Sequence, residues 1–164
     1  MPNQWGALPW YGLALAILVL DQYTKGLASD HLVYARPREV FPWFNLTLQH
    51  NTGAAFSFLD DAGGWQRYFF SVVASVISVV LIVWLFRMPR SQRLLALSLG
   101  LILGGAVGNL WDRLTLGYVV DFISLHYERY YFPAFNIADS AITVGAILLL
   151  IDSFIHREPE EQTQ

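Results

Sequence analysis

Apolar and polar positions alternate along this chain in long blocks rather than in short amphipathic repeats. Residues 68–86 contain no charged side chain and neither do residues 94–111. Crossing about 30 Å of hydrocarbon takes roughly 20 apolar residues, so each block predicts a spanning helix. A first run begins near Trp10 and continues through Leu20 to about Ala28, with Asp21 and Lys25 in its later half. A last run covers Ile137 to Ile155, with Asp139 at its start and Asp152 near its end. The pattern therefore predicts four transmembrane helices, at about 10–28, 66–86, 94–112 and 137–155, in a single membrane domain covering 1–164. The first run is expected to be a retained span rather than a cleaved signal peptide, because no Lys or Arg precedes Gly12 and no small-residue cleavage site follows near Ala28. Trp5, Trp10, Trp65, Trp84 and Trp111 fall at the predicted helix ends, where an amphipathic ring suits the headgroup layer, and only Trp43 lies in a loop.

Arg87, Arg90 and Arg93 crowd the short link between the second and third spans. Positive charge of this density marks a cytoplasmic loop, which puts both termini in the cytoplasm and the two longer connections outside. The first of these, at about 30–64, is expected to be β-rich. Phe44 to Gln49 alternates apolar and polar with the period of a half-buried strand, and Gly53 after it suits a tight turn. In the second, at about 113–135, Tyr118 to Ile123 reads as extended chain, and the aromatic stretch Tyr127 to Phe132 is expected at the membrane surface. The predicted fold is thus an integral membrane, mainly α protein with a small extracytoplasmic β-sheet and a short outer interfacial segment between helices three and four. The polar tail Glu158–Gln164 is expected to be a frayed end.

Composition agrees with a bilayer setting. The 164 residues are 55% hydrophobic and 14% charged, whereas soluble domains are nearer a quarter charged. With 13 acidic and 10 basic residues, the chain has no basic face for nucleic acid. Zero cysteines exclude a disulfide framework, thiolate catalysis and cysteine-held metal. The histidines, His31, His50, His126 and His156, include no pair four apart on a helix and no His-Glu-x-x-His, so no metal is expected. Neither Ser57 nor Ser124 sits in a nucleophile elbow, and Gly104-Gly105 lies inside an apolar span rather than in a phosphate-binding loop.

Ionisable groups at membrane depth are costly and need a partner, water or a task. With the orientation above, Asp21 and Lys25 end the first helix outward, Asp112 and Arg113 end the third, Asp121 follows in the outer connection, and Asp139 opens the fourth. Asp21 and Lys25 are spaced for an ion pair, either as a structural device or as part of a site. Asn109 and Arg113 repeat that spacing, above Gly104, Gly105 and Gly108, whose missing side chains suit close helix packing. Asp121 lies in the apolar run Val119-Val120-Asp121-Phe122-Ile123, where desolvation favours the protonated form. Asp139 follows Asn136 by three residues, as in a capping box, near the positive end of its helix. One carboxyl biased toward protonation and one toward ionisation are the ingredients of an aspartic dyad sharing a proton, provided the two meet. A small proton-coupled transporter or a non-catalytic membrane chaperone would also account for acids gathered near one membrane layer.

Five blocks occur in order: Asp21-Gln22-Tyr23-Thr24-Lys25, Asn51-Thr52-Gly53-Ala54-Ala55-Phe56-Ser57, Gly104-Gly105-Ala106-Val107-Gly108-Asn109-Leu110-Trp111-Asp112-Arg113, Val119-Val120-Asp121-Phe122, and Phe135-Asn136-Ile137-Ala138-Asp139-Ser140. In these the chain closely resembles the bacterial lipoprotein signal peptidases, also called signal peptidase II. The resemblance implies an aspartic endopeptidase of the bacterial inner membrane, active near the periplasmic face, that cleaves diacylglyceryl-modified prolipoproteins just before the lipidated cysteine. It implies Asp121 and Asp139 as the catalytic pair, without cofactor or metal. Supporting or substrate-binding roles fall on Asp21, Lys25, Asn51, Gly53, Ala54, Asn109, Asp112, Arg113, Asn136 and Ala138. Asn109 and Arg113 are expected to orient the catalytic pair or the substrate, and Asn51 and Gly53 to present backbone polar groups to it. The partners implied are the prolipoprotein, membrane lipid and the inhibitor globomycin, with the chain a monomer.

Overall fold

The computed structural model describes residues 4–53 and 65–155. Ala54, Ser57, His156 and the tail Glu158–Gln164 lie outside the described residues. Along the chain run α1 (Gln4–His31), β1 (Arg38–Phe41), β2 (Phe44–Asn51), α2 (Trp65–Arg87), α3 (Arg93–Thr115), β3 (Val119–Tyr127), β4 (Tyr130–Tyr131) and α4 (Ile137–Ile155).

Three of these helices, α2, α3 and α4, are long and apolar enough to cross a membrane, with mean hydropathies of 2.7, 1.8 and 1.8. Their apolar side chains point outward. On α2, Val72, Val76, Val79 and Val80 are exposed, as are Ile147, Leu150, Ile151 and Phe154 on α4. Continuous apolar faces of this extent would be strongly unfavourable in water and suit hydrocarbon. By contrast α3 is the central helix: 56% of its apolar window is buried against 22% for α2 and α4, and it packs on all three other helices.

Small residues make that central position possible. A Cβ on Gly104 would meet the Ala14 carbonyl oxygen of α1 at 2.7 Å, and one on Gly105 would collide with the Ala138 carbonyl oxygen of α4. A Cβ on Gly108 would come within 2.7 Å of Asp21 Oδ2. The expected close packing at these glycines is therefore realised on two adjoining faces of α3, one against α1 and one against α4.

Helix ends differ from the expected bounds in one consequential way. The first helix continues to His31 and the third to Thr115. Asp21, Lys25, Asp112 and Arg113 thus lie within helices rather than ending them, because their side chains are turned inward, where Asp21, Lys25 and Asp112 are buried. The start of α1 lies beside the short α2–α3 link, Gly6 being next to Arg90. The later part of α1, the end of α3 and the start of α4 meet at the opposite end of the bundle, together with the sheet.

The sheet is antiparallel in the order β1-β2-β3-β4. Asn51 pairs with Val119 and Gln49 with Asp121, with an irregularity between Leu46 and Gln49. The strand anticipated at 44–49 is β2, and the extended chain anticipated at 118–123 is the first half of β3. The aromatic stretch forms the tight β3–β4 hairpin. Glu128 turns it with a φ of 51°, and Tyr127, Tyr130, Tyr131 and Phe132 are exposed.

Candidate active site

Two linked clusters of polar side chains occupy the sheet end of the bundle. The first is built around Lys25, which is buried on α1. Its ammonium has three N–H donors and three acceptors. These are Asp21 Oδ2 one helical turn earlier at 2.8 Å, Asp112 Oδ2 of α3 at 3.0 Å, and Asn109 Oδ1 at 3.0 Å. The acids are held by further donors. Asp21 Oδ1 accepts the Ala138 N–H of α4 at 2.9 Å, and Asp112 Oδ2 accepts the Val120 N–H of β3 at 3.0 Å. One buried cation therefore ties three helices and a strand together.

The second cluster holds the two remaining acids. Asn51 sits two residues diagonally across the β2–β3 ladder from Asp121, within side-chain reach. Its amide donates to Asp121 Oδ2 at 3.0 Å. Asp121 Oδ1 accepts from Asn136 Nδ2 at 2.7 Å. Asn136, wholly buried, also caps α4: its Oδ1 accepts the Asp139 N–H at 2.9 Å while Asp139 Oδ2 accepts the Asn136 N–H at 3.2 Å. This reciprocal pair is the capping box that the spacing suggests, with an acid in place of the usual glutamate. Asp139 Oδ1 accepts from Asn109 Nδ2 at 2.7 Å. Both acids are thus suspended from Asn136, one through its side chain and the other through its cap.

Burial raises Asp121 from 3.8 to about 7. The hydrogen bond from Asn51 opposes the shift, the charge of Asp139 adds to it, and Asn136 and Lys25 pull it back. Asp121 is 2% exposed and takes its hydrogen bonds from neutral amides rather than from a cation, so desolvation outweighs its partners. The expected upward bias of this acid is present, although Asp121 is not the unpartnered group that its apolar neighbours in sequence suggest.

The family profile described as signal peptidase (SPase) II matches residues 13–155. The chain belongs to the signal peptidase II family. A lipoprotein signal peptidase of Acinetobacter baumannii is 61% identical over 147 residues, covering 90% of this chain and 84% of the relative. One from Pseudomonas putida is 52% identical over 167 residues, covering 98% of both chains. A solved bacterial membrane enzyme matches the fold with a TM-score of 0.80 at 30% identity, over 95% of this chain and 94% of that one. The family is one of peptidases that process lipoproteins in a membrane, in keeping with the apolar helices here.

Within this signal peptidase II chain, Asp21, Lys25, Asn109, Asp112, Asn136 and Ala138 join one continuous network with Asp121 and Asp139, and Asn51 reaches it through Asp121. Ala138 enters by its backbone N–H and by its buried contact with the Gly105–Gly108 face. Three further positions have specific partners. Arg113 donates to the Asn109 carbonyl at 3.3 Å, lies 5.3 Å from the Phe70 ring centroid, and interacts with Asp139 and Asp121 through its charge rather than through a hydrogen bond. The N–H of Gly53 is taken by Asn51 Oδ1 at 2.8 Å, so it orients Asn51 instead of facing outward. Gly53 has a φ of 100° and no room for a Cβ beside Phe70, which is why a glycine stands there. Asn51 engages Asp121 through its side chain rather than presenting backbone.

Gln22 is the polar residue that sequence reasoning passed over. Its amide Nε2 donates to Asp112 Oδ1 at 2.7 Å, with Gly108 O at 3.2 Å and Asp21 Oδ2 at 3.3 Å. The only signal in the sequence is its place beside Asp21 on a helix, and a glutamine there reads equally as a solvated side chain.

Proposed function

We propose that this member of the signal peptidase II family is an intramembrane aspartic endopeptidase that cleaves diacylglyceryl-modified prolipoproteins just before the lipidated cysteine. The observation that carries this reading is the Asn136 bridge, which hangs acids from β3 and α4 on one buried amide while one of them is poised near pH 7. In the proposed reaction Asp139 accepts a proton from a water held between the two carboxyls, and that water attacks the scissile carbonyl carbon. Asp121, in its acid form, gives its proton to the carbonyl oxygen, which yields a tetrahedral diol. Collapse of the diol moves a proton to the departing amine and returns the pair to its starting charge, without a covalent enzyme intermediate.

The same reading makes α1 the fourth span. Its 28 residues measure about 42 Å, and its buried ions are satisfied inside the bundle rather than facing lipid. Arg87, Arg90 and Arg93 lie at the end remote from the acids. A cytoplasmic position for that end sets both termini inside the cell and the acids near the periplasmic face of the inner membrane. The acyl chains of the substrate then stay in lipid, so the bilayer does part of the positioning. The protein works as a monomer, and globomycin inhibits it.

Purified protein incubated with a diacylglyceryl precursor, with and without globomycin, tests the reading. Asp121→Asn and Asp139→Asn are expected to insert and fold normally and to lose cleavage by on the order of 10²- to 10⁴-fold. Full turnover by either variant would overturn the assignment.

A further inference from the structure

We infer that Gln22 is a positioning residue for Asp121, acting through Asp112 and the backbone of Val120. The inference rests on the aspartic reading above and concerns how the acid on β3 is held. Val120, the residue immediately before Asp121, is pinned through both of its backbone polar groups. Its N–H is bound by Asp112 Oδ2 at 3.0 Å, and its carbonyl accepts from Asn136 Nδ2 at 3.2 Å, the same amide that binds Asp121. Asp112 can hold that N–H in place only if its own carboxylate is fixed. Oδ2 is occupied by Lys25 and Val120, and Oδ1 is held by Gln22 at 2.7 Å, across from α1.

The chemistry at this position selects an amide. Three acceptors face the end of the Gln22 side chain, namely Asp112 Oδ1, Gly108 O and Asp21 Oδ2, and its hydrogen bonds among the described residues are all made by Nε2. Only the NH₂ end can meet them, so the amide orientation is set by its neighbours. The charged groups around it are Asp21 and Lys25 on its own helix and Asp112 on α3, with Arg113 on α3, Asp121 on β3 and Asp139 on α4 further out. Lys25 is ion-paired with both adjoining carboxylates, and the Gln22 amide supplies further donors to them. A carboxylate at position 22 would face two carboxylates and a carbonyl, and an apolar side chain of equal length would leave Asp112 Oδ1 without its short partner.

Two substitutions separate this role from mere packing. Gln22→Met keeps the length and removes the donor. It is expected to lower kcat by on the order of tenfold to a hundredfold with KM unchanged, in equal proportion at every pH. Gln22→Glu has no donor when ionised and regains one O–H when protonated. Its activity relative to wild type is therefore expected to climb as pH falls, while that of Gln22→Met stays flat. Wild-type kcat in Gln22→Met, or pH profiles for the two variants that run parallel, would overturn the inference. Should Gln22→Met fail to fold, the profile of Gln22→Glu against wild type decides alone. Asp121→Asn is measured beside them. Turnover by that variant removes the aspartic reading itself, whereas an inactive Asp121→Asn with a fully active Gln22→Met removes only the role of Gln22.

Discussion

Asp21 and Asp112 share a layer of the bundle with Asp121 and Asp139, yet the two pairs are provided for in opposite ways. The first pair surrounds a buried lysine whose three donors are all used, and each acid is also bound by a backbone N–H from another element. The second pair has no cation in hydrogen-bond reach among the described residues and is held by the amides of Asn51, Asn109 and Asn136 together with the Asn136 N–H. Charge neutralisation closes the first site, where every Lys25 donor and both carboxylates are engaged. Neutral amides donate to Asp121, and burial outweighs them and raises it to about 7. The same residue type is tied to a cation in one cluster and to amides in the other, and the link between the sites is Asn109, which accepts from Lys25 and donates to Asp139.

The largest effect expected from breaking this contrast is at Lys25. Lys25→Met leaves Asp21 and Asp112 buried beside one another without their cation, and is expected to lower stability by about 3–5 kcal/mol. Thermal unfolding in detergent measures it. Asp121→Asn, in the other cluster, is expected to leave the unfolding temperature at pH 8 unchanged or raised, because it removes an acid whose ionisation burial opposes. Equal losses in both variants would erase the distinction drawn between the clusters.

A smaller effect tests the packing that brings the clusters together. Gly105→Ala drives a methyl group into the Ala138 carbonyl and is expected to cost about 1–3 kcal/mol. Because Ala138 donates to Asp21 and begins the turn that carries Asp139, cleavage activity should fall along with stability. Preserved activity would show that the α3–α4 approach is not needed to seat Asp139.

The finest test is the pH profile. In the proposed mechanism Asp121 carries the proton, so cleavage is expected to be lost as pH rises through about 7. Asn51→Ala removes a hydrogen bond that favours the charged form, so the alkaline limb should move to higher pH, in contrast to a structural loss that would lower the whole curve. The same raised value gives a sign for stability. The folded chain keeps this proton up to about 7 while the unfolded chain releases it near 3.8, so stability declines as pH rises across that window.

What the chain determined by itself is local. Uncharged runs of spanning length gave the apolar helices, the four-residue spacing of Asp21 and Lys25 gave their ion pair, and the three-residue spacing of Asn136 and Asp139 gave the capping box. The five ordered blocks pointed to the family. Each of these signals is carried by backbone geometry within one or two helical turns, so the periodicity of the residues reports it directly. Tertiary structure decided the rest: that Asp112 completes the coordination of Lys25, that Asn136 hands one amide to Asp121 while capping Asp139, that Arg113 turns to Phe70, and that Gln22 reaches across to α3. These contacts join residues as far apart as 22 and 112. They exist only because glycines let α1 and α4 come within touching distance of α3, and no spacing along a single element encodes which distant acceptor a buried donor will find.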